Sequence, residues 1–98
     1  MPRVVYSARA IAHLQRLFEF LAEEDAAAAA AGASAIRSAI DVLAEHPWIG
    51  RPHSHDLREL VISFGSTGYL ALYRVVPSTG EVRILAVRHQ RELGYRPR

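Results

Sequence analysis

The sequence has 98 residues, which is enough for one domain with one hydrophobic core and near the lower limit for stability without a partner. Half of the residues are apolar and none is cysteine, which excludes a disulfide framework and any zinc site built on cysteine. The N-terminus MPRVVYSARA lacks the apolar stretch of a signal peptide. No apolar run reaches the roughly 20 residues that span a bilayer, so we expect a cytoplasmic protein without a membrane partner.

The net charge of +2 is unevenly distributed along the chain. Residues 1–45 carry four arginines and six acidic residues, whereas residues 46–98 carry eight arginines and four acidic residues. The chain has no lysine, and the planar guanidinium of arginine binds phosphate and carboxylate through paired hydrogen bonds. A codon bias explains arginine in place of lysine but not the segregation of charge. The basic half therefore indicates a nucleic acid or an acidic protein surface as partner.

The first half of the chain predicts a short strand and a helical hairpin. Residues 3–6 form the strand, and Ser7 is the predicted N-cap of a helix that runs from Ala8 to Glu24. Its apolar residues recur at helical spacing at Ile11, Leu14, Leu17, Phe18 and Leu21. The acidic residues 23–25 predict a solvated bend. The alanine run 26–31 then leads through Gly32 into a second helix that ends near Glu45, with Ile36, Ile40 and Leu43 on one face.

The second half of the chain changes to the two-residue period of strands. His46-Pro47 ends the second helix, and residues 48–52 are a turn-rich connector. Strands are predicted at 57–64, 69–76 and 81–89, joined by the turns 65–68 and 77–80. In the last strand, alternation places Val82, Ile84, Ala86 and Arg88 on one face and Arg83, Leu85, Val87 and His89 on the other. The predicted fold is α+β: a single domain over residues 1–98, with a helical hairpin packed on a small antiparallel sheet in the order β-α-α-β-β-β.

Two sets of polar residues are candidates for chemistry. The loop His53-Ser54-His55-Asp56 has two imidazoles and a carboxylate but no evident third fixed ligand, so we expect neither a metal nor a cofactor. Arginines on the predicted sheet and tail alternate with Tyr69, Tyr73, His89 and Tyr95, as in surfaces that bind RNA through phosphate contacts and stacking. A solvated arginine face above core tyrosines explains the same pattern. These arginines are Arg58, Arg74, Arg83, Arg88, Arg91, Arg96 and Arg98.

Four segments in order resemble the ParE/RelE superfamily of bacterial toxins, often described as plasmid stabilisation proteins. They are Leu43-x-x-x-Pro47-x-x-Gly50-Arg51-Pro52, Leu57-Arg58-Glu59-Leu60-Val61, Tyr69-Leu70-Ala71-Leu72-Tyr73-Arg74-Val75, and residues 82–92, Val-Arg-Ile-Leu-Ala-Val-Arg-His-Gln-Arg-Glu. The similarity extends from Tyr6 to Arg91. The resemblance implies the toxin of a type II toxin–antitoxin pair, a growth inhibitor that a small DNA-binding antitoxin neutralises with an extended C-terminal segment.

The superfamily implies two different targets. ParE-like members inhibit DNA gyrase, whereas RelE-like members cleave mRNA on the ribosome with basic residues of the strands and an aromatic residue of the tail. The Pro47-to-Pro52 turn and the Tyr73-Arg74-Val75 strand are more similar to the ParE-like side, and Tyr69-Leu70 lacks the arginine that nucleases carry there. We therefore expect gyrase inhibition without catalysis, with Arg58, Arg74, Arg83, Arg88 and Arg91 as the partner-binding surface.

Two alternatives remain open. If the chain is RelE-like, it is an endoribonuclease with the ribosome and mRNA as partners, and its catalytic residues are Arg88, His89, Arg91 and Tyr95. It is also possible to interpret the chain as a non-toxic member that only binds its antitoxin. The connector before the first sheet strand lacks the lysines or glutamate of the nucleases and offers His53 and His55.

Overall fold

A computed structural model describes residues 3–97, and these form two helices on one face of a five-stranded sheet. In chain order the elements are β1 (Val4–Tyr6), α1 (Ala8–Glu24), α2 (Ala26–Asp41) with a further tight turn at Val42–Ala44, β2 (Arg51–Pro52), β3 (Leu57–Phe64), β4 (Thr67–Val75) and β5 (Val82–His89). The strands have the spatial order β1-β5-β4-β3-β2. The predicted α+β class and the helical hairpin are confirmed. Arg98, one of the predicted basic residues, lies outside the described residues.

Side-chain caps fix the ends of both helices. The hydroxyl oxygen of Ser7 accepts a hydrogen bond from the Ala10 N–H at 3.0 Å, which confirms the predicted N-cap of α1. Asp25 accepts from the N–H groups of Ala27 and Ala28, and its own N–H donates to the Leu21 carbonyl. The predicted acidic bend is therefore a single residue that ends α1 and begins α2.

The three long strands form the predicted antiparallel meander. Phe64 pairs with Thr67, so the first turn contains only Gly65 and Ser66. Strand β4 therefore begins at Thr67, two residues before the start that the alternation of apolar residues predicted. Gly65 has φ +59°, a conformation that a two-residue hairpin needs and that glycine adopts without strain.

The two edge strands of the sheet are short. Strand β1 pairs in parallel with β5 at Val82, Arg83 and Ile84, so the sheet is mixed and not antiparallel throughout. Strand β2 pairs Arg51 with Glu59, within the segment that the sequence indicated as a connector only. The two residues of β2 are too few to show an alternation of side chains in the sequence. The parallel pairing of β1 with β5 joins segments that are distant along the chain, so no local turn indicates it.

A bulge in β5 changes the predicted faces of that strand. Leu72 pairs with Ala86 and Tyr73 pairs with Ile84, which leaves Leu85 as an extra residue. After the bulge, Val87 and His89 lie on the same face as Val82 and Ile84. The predicted alternation is therefore wrong beyond Ile84: Arg88 lies on the opposite face, and Val87 is fully buried in the core.

The core lies between the helices and the sheet. It contains Ile36 and Ile40 of α2, Leu60 and Ile62 of β3, and residues of β4 and β5 such as Tyr73 and Ile84. The stretch Ala26–Ala44 is long and apolar enough by length and composition to cross a membrane, contrary to the expectation from the sequence. Its apolar character comes from the alanine run and from the side chains that α2 contributes to this core.

Candidate functional site

The Pro47-to-Pro52 turn is held by the hydroxyl of Tyr73, which is completely buried. This hydroxyl accepts a hydrogen bond from the Gly50 N–H and donates one to the Pro47 carbonyl, both at 2.8 Å. Arg58 donates to the carbonyl of Gly50 at 2.7 Å and lies 5.0 Å from the ring centre of Trp48. The motif that carries the family resemblance is therefore a structural clamp between the turn and the sheet.

We call the face of the sheet opposite the helices the outer face, and Glu59 lies near its centre. Glu59 is only 4% exposed. Arg51 donates to one carboxylate oxygen at 2.6 and 3.0 Å, and the Tyr95 hydroxyl donates to the other at 2.6 Å. Burial acts to raise the pKa of Glu59, but the hydrogen bonds from Tyr95 and Arg51 outweigh it, so the pKa lies below its usual value. Burial and the adjacent carboxylate raise the pKa of Tyr95.

The tail after β5 is anchored to α1 by a buried histidine. His13 is completely buried, and its Nδ1 accepts a hydrogen bond from the Val87 N–H at 3.0 Å. Its Nε2 therefore carries the proton and donates to the Arg96 carbonyl at 3.0 Å, while Arg9 donates to the same carbonyl at 2.7 Å. Burial, with Arg16 and Arg9 nearby, lowers the pKa of His13. Neutral His13 thus joins α1, β5 and the tail.

The residues predicted for nuclease chemistry do not meet at one point. Arg88 and Tyr95 are together near the outer face, with the Arg88 guanidinium 5.2 Å from the Tyr95 ring centre. The bulge places His89 on the helix side, where its ring contacts Tyr69 edge-on with 5.3 Å between the ring centres. Its Nδ1 accepts the Arg91 N–H, so its Nε2 donates to the Thr67 hydroxyl. The side chain of Arg91 is exposed.

The five arginines predicted as a partner-binding surface are not one continuous patch. Arg58 binds the Trp48 turn; Arg74 pairs with Asp56 at 3.5 Å, and Arg83 with Glu81 at 2.9 Å. Arg88 donates to backbone carbonyls of His89 and Glu92, and Arg91 is separate from them all on the tail. Most of these guanidiniums form hydrogen bonds or ion pairs within the chain. They therefore mainly stabilise the sheet and its connections.

Glu59, Arg51 and His13 are the polar groups that the sequence analysis missed. Each depends on a partner distant along the chain: Tyr95 for Glu59, the short strand β2 for Arg51, and the tail for His13. A charged residue in the middle of an apolar strand, as in Leu57-Arg58-Glu59-Leu60, was the only local signal.

An apolar groove runs between α1 and α2. It encloses about 470 Å³. Ile11 and Phe18 of α1 line it and are 47% and 44% exposed, an unusual exposure for such large apolar side chains. The other lining residues include Tyr6, Leu14, Ala33 and Ile36. This groove is a surface that a partner chain can cover, and we call it the hairpin groove.

Residues 4–94 match the family model described as "ParE toxin of type II toxin-antitoxin system, parDE". The chain belongs to this toxin family. The toxin therefore acts within a type II toxin–antitoxin system and has an antitoxin as its partner, as the sequence resemblance implied.

Relatives of known name agree with this assignment. The toxin is 37% identical over 92 residues to Toxin RelE3 of Caulobacter vibrioides, covering 94% of this chain and 98% of that protein. It is 37% identical over 79 residues to Toxin RelE1 of the same organism, covering 81% and 85% of the two chains. Its fold matches a chain of the chromosomal ParDE toxin–antitoxin system from P. aeruginosa with a TM-score of 0.75, at 19% identity and covering 91% and 96% of the two chains.

Proposed function

We propose that the toxin arrests growth by binding and inhibiting DNA gyrase in the cytoplasm, without breaking a bond in RNA. The observation that carries this proposal is the separation of His89 from Arg88 and Tyr95 by the bulge at Leu85. An endonuclease needs an acid, a base and cations around one scissile phosphate. The residues that the sequence offered for these roles lie on opposite faces of the sheet.

The bonding of the candidate acids and bases supports the same conclusion. Both carboxylate oxygens of Glu59 are occupied, by Arg51 and by Tyr95. The Tyr95 hydroxyl donates to that carboxylate, which opposes ionisation of the phenol. Both nitrogens of His89 are also occupied. A proton-transfer group must reach the reacting atom, and each of these groups is hydrogen-bonded within the chain instead. The outer face is therefore better suited to docking than to catalysis.

The antitoxin is proposed to neutralise the toxin by covering the hairpin groove. An extended or helical segment with apolar side chains at regular spacing would bury Ile11 and Phe18, which the isolated toxin leaves exposed. Coverage of this kind also stabilises a domain of this size by mass action. Burial of α1 would block any gyrase contact that includes this helix.

The test is induction in bacteria, with plasmid topology and mRNA 5′ ends measured in the same cultures. Gyrase inhibition predicts that plasmids lose negative supercoils soon after induction, while mRNA shows no cleavage phased with codons. The variants His89→Ala and Tyr95→Phe should arrest growth as the parent does, once circular dichroism confirms their folding. Codon-phased cleavage that either variant abolishes would contradict the proposal.

One observation favours a second function, ribosome-dependent mRNA cleavage. Glu59, Tyr95 and Arg88 do lie together at the outer face, with Arg51 beside them, and a glutamate among arginines is a possible base next to a bound phosphate. This function requires the Tyr95–Glu59 hydrogen bond to open on the ribosome. It predicts that Glu59→Gln abolishes growth arrest, whereas gyrase inhibition predicts continued arrest. A folded parent protein that causes no growth arrest would instead indicate a member that only binds its antitoxin.

A further inference from the structure

A second cavity lies on the other flank of α1, between that helix, the start of β4 and the tail. It encloses about 530 Å³ and is separate from the outer face, and we call it the tail pocket. Cavities of this size accommodate one or two large side chains or a small ligand. Its floor is Tyr69, and its rim includes Thr67, Arg91 and Arg96.

The floor of the tail pocket carries a tyrosine hydroxyl that can bond to a ligand atom. Tyr69 is 2% exposed, and within residues 3–97 its hydroxyl makes no hydrogen bond. Nearby, Thr67 accepts the proton of His89 Nε2, so its own O–H proton can be donated into the cavity. A ligand atom in the cavity can therefore accept a hydrogen bond from Tyr69 or from Thr67.

The rim of the tail pocket is positively charged. Arg91 has no ion pair or side-chain hydrogen bond within the described part of the chain. Arg96 forms an ion pair with Glu92, with 3.4 Å between nitrogen and oxygen. With Arg91, Arg96 and Glu92 the rim has a net positive charge, which favours an anion. Guanidiniums bind carboxylates with paired hydrogen bonds.

The wall on the α1 side is apolar. Phe20 is 61% exposed there, and Leu17 and Leu21 form the deeper part. Both leucines also line the hairpin groove, so the two cavities flank α1 and meet at the same side chains. A chain that covers one flank of α1 can therefore continue onto the other.

We propose that the tail pocket receives an acidic residue and an adjacent large apolar residue of the antitoxin. The carboxylate pairs with Arg91 at the rim, a polar atom of the antitoxin segment accepts from the Tyr69 hydroxyl, and the apolar side chain packs on Phe20 and Leu17. The proposal rests on the antitoxin partner of the proposed function and is independent of the toxin's target. The charge of the rim and the continuity with the hairpin groove make the antitoxin the occupant.

The test uses the purified full-length toxin, isotope-labelled, in NMR titrations with short synthetic peptides. The acidic probe is acetyl-Glu-Asp-Leu-Phe-Glu-amide, and its neutral match is acetyl-Gln-Asn-Leu-Phe-Gln-amide. We expect the acidic probe to shift resonances of Thr67, Tyr69 and Arg91 and to bind at least tenfold more tightly than the neutral probe. Arg91→Gln should weaken the acidic probe about tenfold and Tyr69→Phe about fivefold.

The control variant is Arg3→Gln, which removes an exposed arginine just before β1 that pairs with Glu81. It should leave the affinity for the acidic probe unchanged. Tyr69→Phe keeps the buried ring and should keep the thermal midpoint, because its hydroxyl has no partner to lose. Equal affinity for the two probes, or shifts confined to other surfaces, would refute the proposal. Tighter binding of adenosine monophosphate than of the acidic probe would make the cavity a nucleotide site and would also refute it.

Discussion

Replacement of Tyr73 by phenylalanine is expected to destabilise the toxin by about 2 kcal/mol. The hydroxyl makes two hydrogen bonds of 2.8 Å, to the Gly50 N–H and the Pro47 carbonyl, and each is worth about 1 kcal/mol net. For a domain near 100 residues, 1 kcal/mol corresponds to roughly 4–8 °C, so the thermal midpoint should fall by about 10 °C. The measurement is thermal unfolding at pH 7 followed by circular dichroism.

The matched control for this prediction is Tyr6→Phe. Tyr6 is partly buried, and its hydroxyl makes no hydrogen bond within residues 3–97. Its loss should change the free energy of unfolding by less than about 0.5 kcal/mol. Equal shifts of the thermal midpoint for the two variants would refute the claim that the Pro47-to-Pro52 motif is a structural clamp.

Gly50→Ala should cost about 2 kcal/mol in chemical unfolding, because the new Cβ would lie 2.6 and 2.8 Å from Tyr73 ring carbons. Glu59→Gln should cost roughly 1–3 kcal/mol at pH 7, and the difference should narrow below pH 4.5, because the lowered pKa of Glu59 stabilises the fold only while the carboxyl is ionised. The pKa of His13 is lower in the folded chain than in the unfolded chain, so on acidification the unfolded chain binds this proton at a higher pH. The free energy of unfolding should therefore keep its full value above pH 6.5 and fall below it. His13→Gln should reduce that loss in urea titrations between pH 7 and 5, whereas His46→Gln, at an exposed histidine, should retain it.

The helices and the meander could be predicted from the sequence because their signals are local. Ser7 caps α1 by accepting a hydrogen bond from the N–H of Ala10, only three residues later in the chain. The apolar residues of α1 recur at the spacing of one helix face. Each predicted long strand was found because its alternation spans eight or nine residues. Side-chain periodicity and capping act within a few residues, so the sequence alone indicates them.

The arrangement of the site could not be predicted because it depends on one inserted residue and on distant pairs. Leu85 has no feature that distinguishes a bulge from a regular strand position, yet it determines the faces of Arg88 and His89. The Glu59–Tyr95 bond joins residues 36 positions apart, and the His13–Arg96 bond joins residues 83 positions apart. Such contacts are set by tertiary packing, which the local pattern does not encode.

A gyrase supercoiling assay with the purified toxin, purified gyrase, relaxed plasmid and ATP determines whether the toxin inhibits gyrase. We expect supercoiling to fall as the toxin is added in stoichiometric amounts. The variants His89→Ala and Tyr95→Phe should inhibit as the parent does, and a purified antitoxin should restore gyrase activity. Full supercoiling at a large excess of folded toxin would show that the toxin does not inhibit gyrase.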